Sequence, residues 1–275
     1  MVKTLGIMQG RLLPCYKGRY QAHPIGYWKE EFYLASNLGL NYIEFILDYN
    51  DAAQNPLLTK AGHNHIKSLY KKTKVRVISV CADYFMMAPL HGKNDKEVEK
   101  SICIIHQLID ASVRLGIKDI VIPCVDKSSI QNKLLRDRFQ EVIADVIPKA
   151  NQSEVNLSLE TDLNPSQIAE LLNKLDSKHV TINYDIGNSA SNGYDPGEEL
   201  DVYGERISDI HIKDRTLGGG SVELGKGDAD IPRFFKLLEK FGYRGPLIMQ
   251  AYRDEKGIQI FKKQFNWVKR YLGAN

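Results

Sequence analysis

The sequence has no CxxC pair, no run of five like charges and no apolar stretch near the length that crosses a membrane. Each absence removes a class of function. Four cysteines (Cys15, Cys81, Cys103 and Cys124) scattered singly make neither a thiolate metal site nor a disulfide framework, and in a reducing compartment they read as free thiols. Cys81 and Cys124 fall in apolar runs, where a thiol packs as a small hydrophobe and nothing marks an activated nucleophile. A net charge of +3 leaves no basic footprint for nucleic acid and no polybasic patch for a membrane surface. The opening MVKTLGIMQG lacks the apolar core of a secretion signal, so the expected location is cytoplasmic. No Pro/Gly/Ser-rich linker divides the chain, and residues 1–275 are expected to form a single domain.

What is present is an alternation. Strand-like runs occur at 5–9, 42–47, 75–82, 119–125, 156–160, 181–186, 207–213 and 246–251. Most read as continuous apolar runs, as expected of parallel strands buried on both faces. Helical periodicity fills the intervals. YWKEEFYLASNLG sets Phe32, Ala35 and Leu38 on one face and stops at Gly39. LTKAGHNHIKSLYKKT (58–73) forms the next helix. In 94–116, Val98, Ile102, Ile105, Ile109 and Val113 recur at helical spacing, with Asp95 as N-cap and Gly116 as stop. Asp230 caps a later helix with Pro232 at its first position, while DPGEELDVYGER after the sixth strand gives a short, weak segment. Eight β/α units in 275 residues match a (β/α)8 TIM barrel of the α/β class. A doubly wound sheet would normally carry GxGxxG after its first strand, and MQGRLLP is not that motif.

In such a barrel the C-terminal strand ends share one mouth. Gln9, Arg11, Glu44, Asp48, Asp83, His91 and Asp126 belong there from the first half of the chain. The last four strands each end in one donor: Glu160, Asp185, His211 and Gln250. A carboxylate in that place is often only a helix cap, and a lone histidine is often a satisfied core residue. Together they are harder to dismiss, because unpaired charges inside apolar runs cost several kcal/mol and one cation removes that cost. Two carboxylates, an imidazole and an amide oxygen suit one divalent ion, Mn²⁺, Mg²⁺ or Co²⁺, with Zn²⁺ also compatible.

LSLET, NYDIGN, DIHIKDR, ELGKGDADIPRFF and GYRGPLIMQ resemble the xylose isomerase-like TIM-barrel superfamily, specifically its sugar-phosphate isomerases and epimerases, over nearly the whole chain. MQGRL and DYFMMAPLHG are similar to a bacterial branch of that group. The resemblance implies that Glu160, Asp185, His211 and Gln250 bind the metal. It also implies that strand-five and strand-eight glutamates act as bases on opposite faces of the substrate. Two positions depart from that pattern. Gln250 can offer an oxygen to a metal but cannot take a proton at neutral pH, and Asn188 stands where the family's DxxH motif has a substrate-contacting histidine.

The expected function is a divalent-metal-dependent isomerase or epimerase of a sugar or sugar phosphate, acting through an enediolate with Glu160 as base. The alternatives are a hydroxy-ketone dehydratase on the same barrel, or a catalytically silent metal- and sugar-binding barrel. The three-metal apurinic-site endonucleases share the barrel but need more histidine and carboxylate ligands than this mouth offers. A second acid–base would come from His91 or Glu44. Substrate contacts are expected from Arg11, Asn188, Lys213 and Arg215, a structural salt bridge being the other reading of Arg11. LGGGSVELGKGD reads either as a phosphate-approaching backbone or as a loop over the mouth. The partner is a small-molecule sugar rather than nucleic acid or membrane, with a homo-oligomer left open.

Overall fold

Residues 5–272 are described in a computed structural model. Strands β1 (Leu5–Met8), β2 (Tyr42–Ile46), β3 (Arg76–Cys81) and β4 (Asp119–Cys124) come from the first half of the chain. From the second half come β5 (Asn156–Thr161), β6 (Val180–Asp185) and β7 (Ile207–Ile212). Two short strands, β8 (Asp214–Arg215) and β9 (Ser221–Val222), precede β10 (Leu247–Met249). The parallel strands β1–β7 and β10 close into a barrel, while β8 and β9 pair as a separate antiparallel ribbon. The expected TIM barrel is the fold; six of its eight strands fall within the runs read from the sequence, while β5 runs one residue past its run to Thr161 and β6 begins one residue before its run at Val180.

The strands are not apolar on both faces throughout. In β5, β6 and β7 the residues alternate: Leu157, Leu159, Ile182, Tyr184, Ile210 and Ile212 belong to the main core with the helices. The other set, Asn156, Ser158, Glu160, Thr181, Asn183, Asp185, Asp209 and His211, shares the opposite face. Some of the polar groups near that face pair with one another. Asn156 Nδ2 donates to Asp119 Oδ1 at 2.9 Å, and the Ser208 hydroxyl lies 3.1 Å from Ser158 Oγ and 2.7 Å from Thr181 Oγ1. Met8, Ile46, Cys81 and Ile248 make a small apolar cluster of their own.

Two register shifts matter to the site. One lies between Ile43 and Glu44 against β3, the other between Ile182 and Asn183 against β7. Beyond them Glu44 pairs with Ser79, and Asp185 lies directly opposite His211. An extra residue in one strand re-aims the side chains that follow it, which is how these ladders deliver their polar residues inward.

Several helix details differ from the sequence reading. The helix Asp95–Leu115 is capped by Asn94, whose side chain accepts from Lys96 N, so Asp95 is the first helical residue. Val113 is 57% exposed and lies off the apolar face, where Leu108 is buried with Ile105 and Ile109. A helix at Lys60–Thr73 starts one residue after its Thr59 cap, later than expected. Pro232 is the second residue of Ile231–Phe241, with Asp230 as cap. After β6 there are two short helices, Ile186–Asn192 and Pro196–Tyr203, in place of one weak segment. Among the described residues no helix is long and apolar enough to cross a membrane.

Candidate active site at the barrel mouth

Glu160, Asp185 and His211 end three neighbouring strands, and one ligand atom from each lies within 4.8 Å of the others. All three side chains are buried. His211 Nε2 is bonded to Glu44 Oε1 at 2.7 Å, which leaves Nδ1 to face Asp185 Oδ2 at 3.9 Å. Among the described residues Nδ1 has no hydrogen-bond partner, and neither has the buried Oε1 of Gln250. Orphaned buried polar atoms are uncommon in folded chains and call for an occupant. A nitrogen, an amide oxygen and two carboxylates are a donor set that a divalent cation satisfies, so the residues present fit the expected ion.

Around these donors the mouth is wired by hydrogen bonds. Asn188 Nδ2 donates to Glu160 Oε1 at 2.6 Å, and the Asn188 backbone N–H donates to Asp185 Oδ1 at 2.9 Å. Lys213 Nζ reaches Asp185 Oδ2 at 3.1 Å, and Arg215 Nη1 donates to Asn188 Oδ1 at 2.8 Å. Gly187 allows this closeness: a Cβ there would stand 2.9 Å from Lys213 Cγ and 3.2 Å from Arg215 Cγ. On the other side, Gln250 Nε2 donates to Gln21 Oε1 at 3.1 Å, and Gln21 Nε2 donates to Asp83 Oδ2 at 2.8 Å. A cavity of about 380 Å³ opens above, its wall including Asp83, Glu160, Asn188, Lys213, Arg215 and Gln250.

Burial, and secondarily the charge of Asp185, pushes the Glu160 carboxyl up to about 7. Burial acts the same way on Asp185, but Lys213, His211 and the Asn188 N–H outweigh it and hold that carboxyl below its usual range. Burial also opposes the charge on Lys213, where Asp185 and Glu160 prevail and raise its pKa. The two adjacent carboxyls are thus shifted in opposite directions, Glu160 upward and Asp185 downward.

Not every expected residue reaches this site. Glu44 is fully buried inside the barrel, where it holds His211 and has no place on the cavity wall. His91 packs against the Phe139 ring at 6.3 Å and is also absent from that wall. A second acid–base from either is therefore not what the geometry provides. Arg11 is buried and makes no salt bridge among the described residues: Nε donates to Ala251 O at 2.9 Å, Nη2 to Gln21 Oε1 at 2.9 Å, and its guanidinium lies 4.9 Å from the Tyr20 ring. It braces the segment that carries Gln21 instead of lining the cavity. Gln9 and Asp48 are likewise structural, bonding His23 and Ile46, and Arg19 and His23, respectively. Asp126 lines the cavity from an exposed position.

The glycine-rich stretch supplies the turn and β9 of the ribbon that pairs with β8, and its Gly220 and Ser221 line the cavity. Its following backbone is already engaged, because the Asp214 carboxylate accepts from the N–H groups of Gly225, Gly227 and Ala229. Those amides are not offered to a phosphate. Sequence reasoning passed over Gln21, the hub between Gln250 and Asp83, since a glutamine in a loop carries no local signal.

The L-ribulose-5-phosphate 3-epimerase of Salmonella paratyphi A is 27% identical to this chain over 252 residues, covering 88% of this chain and 89% of the relative. The fold is similar to that of a 3-keto-D-glucoside 4-epimerase from E. coli, with a TM-score of 0.75 at 16% identity over 98% of this chain and 99% of the other. It is similar also to the IOLI protein with a bound zinc atom, with a TM-score of 0.74 at 16% identity over 98% of this chain and 100% of that one. Both named epimerases are isomerases by reaction class. Residues 32–271 match the profile of the xylose isomerase-like TIM barrel, and the chain belongs to that family.

Proposed function

We propose that this protein is a divalent-cation-dependent epimerase or isomerase of a ketose or ketose phosphate, with Glu160 as ligand and base and with Asp185, His211 and Gln250 completing the cation site. The observation that carries the reading is the convergence of Glu160, Asp185 and His211, with His211 Nδ1 unpartnered among the described residues and with Gln250, whose Oε1 is likewise unpartnered among them, sharing the cavity wall with Glu160. The epimerase relative at 27% identity supports the same reaction class, and its phosphorylated substrate makes a ketopentose 5-phosphate the first compound to try.

A cation bound there, Mn²⁺, Mg²⁺, Co²⁺ or Zn²⁺, supplies polarisation of the substrate carbonyl and counter-charge for the oxygens that become negative. The chain supplies the rest. Glu160 takes the proton from the carbon next to the carbonyl, and Asn188 fixes the carboxylate that takes it. Lys213, in the same hydrogen-bonded group, adds positive charge to the wall where negative charge develops. Arg215 offers a guanidinium to a substrate hydroxyl or phosphate at the rim.

The test uses L-ribulose 5-phosphate and its C3 epimer, L-xylulose 5-phosphate, in D₂O with Mn²⁺, followed by proton NMR. Interconversion with loss of the C3 proton signal, abolished by EDTA and restored by metal, is the expected result. Absence of exchange across a panel of ketoses and their phosphates would overturn the proposal.

A further inference from the structure

Inverting a carbon next to a carbonyl requires a proton removed from one face and a proton delivered to the other. Glu160 serves one face in the function proposed above, on which this inference rests. Gln250 cannot serve the other, since its amide neither binds nor releases a proton at neutral pH. We propose that Asp83 is the second acid–base of the reaction, exchanging a proton with the substrate face that Glu160 does not reach.

Asp83 lies two residues beyond the last residue of β3 and shares the cavity wall with Glu160 and Gln250. Its carboxyl is held at both oxygens. Gln21 Nε2 donates to Oδ2 at 2.8 Å, and the Cys81 thiol donates to Oδ1 at 3.2 Å. Gln21 is held in this orientation by Gln250 Nε2 and Arg11 Nη2, which both donate to its Oε1. The strand-eight amide, unable to act as a base itself, is thus two hydrogen bonds from a carboxyl that can. Burial raises that carboxyl above its usual range despite the two donors, which favours a group able to carry a proton to give. Glu160 is wired to a separate set of residues, Asn188 and through it Lys213 and Arg215. The two carboxyls thus belong to different hydrogen-bonded groups on the wall and come from strands β5 and β3, with β4 between them.

The other proton-carrying groups on the wall are worse placed. Lys213 is tied to Asp185 on the Glu160 side, and Asp126 is solvent-exposed. Tyr20 is an exposed side chain whose ring packs on Arg11 and Tyr252. In one direction Glu160 takes the proton as the C–H bond breaks, and the electron pair passes into the enediolate. The Asp83 carboxylic acid then gives its proton to the opposite face of the same carbon and is left ionised. In the other direction the roles exchange, and solvent resets both groups.

The test compares the wild type with Asp83→Asn, each epimer supplied separately in D₂O. The expected variant loses at least about a hundredfold in epimerisation while keeping C3 exchange from the epimer whose proton Glu160 removes. Manganese binding equal to the wild type confirms its fold. If Asn is not tolerated, Asp83→Ser, too short to crowd Gln21, is measured in the same way. Wild-type rates in the variant, loss of exchange from both epimers with manganese binding intact, or loss of epimerisation in Tyr20→Phe alone would each overturn the assignment. Absence of exchange by the wild type itself overturns the proposed function, and this inference falls with it.

Discussion

Glu44 Oε1 and His211 Nε2 are 2.7 Å apart inside the barrel, both side chains fully buried, although 167 residues separate them in the chain. The bond fixes the imidazole so that Nε2 is committed to the carboxylate and Nδ1 is the nitrogen offered at the mouth. A carboxylate behind a ligating histidine sets its tautomer and raises its basicity. Burial, the largest influence on Glu44, pushes its carboxyl up to about 7. Glu44 is thus a positioning residue in this reading.

Removing that carboxylate frees the imidazole to rotate and leaves Nε2 unpaired. Glu44→Ala is expected to weaken Mn²⁺ binding by about 10- to 100-fold, the usual cost of losing such a support. Glu44→Gln keeps an acceptor oxygen and should lose less. Calorimetric titration of Mn²⁺ into the three proteins at one pH checks the order; equal affinities would show that His211 needs no support.

Asn188 offers a cleaner separation of binding from chemistry. Its side chain holds Glu160 at 2.6 Å and accepts from Arg215 Nη1 at 2.8 Å, while its backbone N–H caps Asp185; Asn188→Ala loses the side-chain contacts and keeps the cap. The expected result is a kcat lowered by about tenfold to a hundredfold, the cost of a loosened base, with cation affinity unchanged. Steady-state kinetics and metal titration on the same preparation test this. A loss confined to KM would make Asn188 a substrate contact only, the role its position suggested in the sequence.

The barrel and the four donors were legible because both are written locally. Each of β5, β6, β7 and β10 carries its donor at or just beyond its C-terminal end, and alternating strand and helix patterns repeat around them. What was not legible depends on partners distant in the chain. Gln21 meets Asp83 and Gln250 across 62 and 229 residues, and nothing in MQGRL or in the residues after it marks that glutamine. The two register shifts have no local sequence mark either, yet they lie beside Glu44 and Asp185. Arg11 and His91 were drawn to the mouth by topology alone. The structure spends Arg11 on backbone carbonyls and Gln21, and packs His91 on Phe139.

Glu31 gives the fold a pH dependence that can be isolated. Its buried carboxylate accepts from Gly10 N at 2.7 Å and Leu12 N at 3.0 Å, fixing the segment that leads to Gln21. Burial outweighs these donors and raises its pKa from 4.5 to about 7. The folded state therefore holds a proton that the unfolded state has released between those values. Stability falls as pH rises through that window, by an amount on the order of 3 kcal/mol for this group. Glu31→Gln cannot titrate, so its unfolding free energy should change less between pH 5 and pH 8 than that of the wild type. Urea denaturation of both proteins at the two pH values measures the difference; identical slopes would place the pH dependence elsewhere.

Gln250→Glu restores a carboxyl to strand eight, but its effect depends on Asp83. In the wild-type background the new carboxylate would meet Gln21 Oε1, which now accepts from Gln250 Nε2. Gln21 could answer only by turning its amide nitrogen away from the Asp83 carboxylate. One of the two acids is then left facing an acceptor, and the single variant should gain nothing in epimerisation. With Asp83→Asn also present, the asparagine amide can donate to a turned Gln21, and the carboxylate introduced on strand eight is free to act as the second base. The double variant is expected to epimerise at least about tenfold faster than Asp83→Asn alone, within the range that a positioned acid–base contributes. Rates for all four proteins, measured on one ketopentose phosphate, form a cycle whose interaction term reads the coupling directly. Additive effects would mean that the hydrogen bonds through Gln21 carry no functional link between the two sides of the mouth.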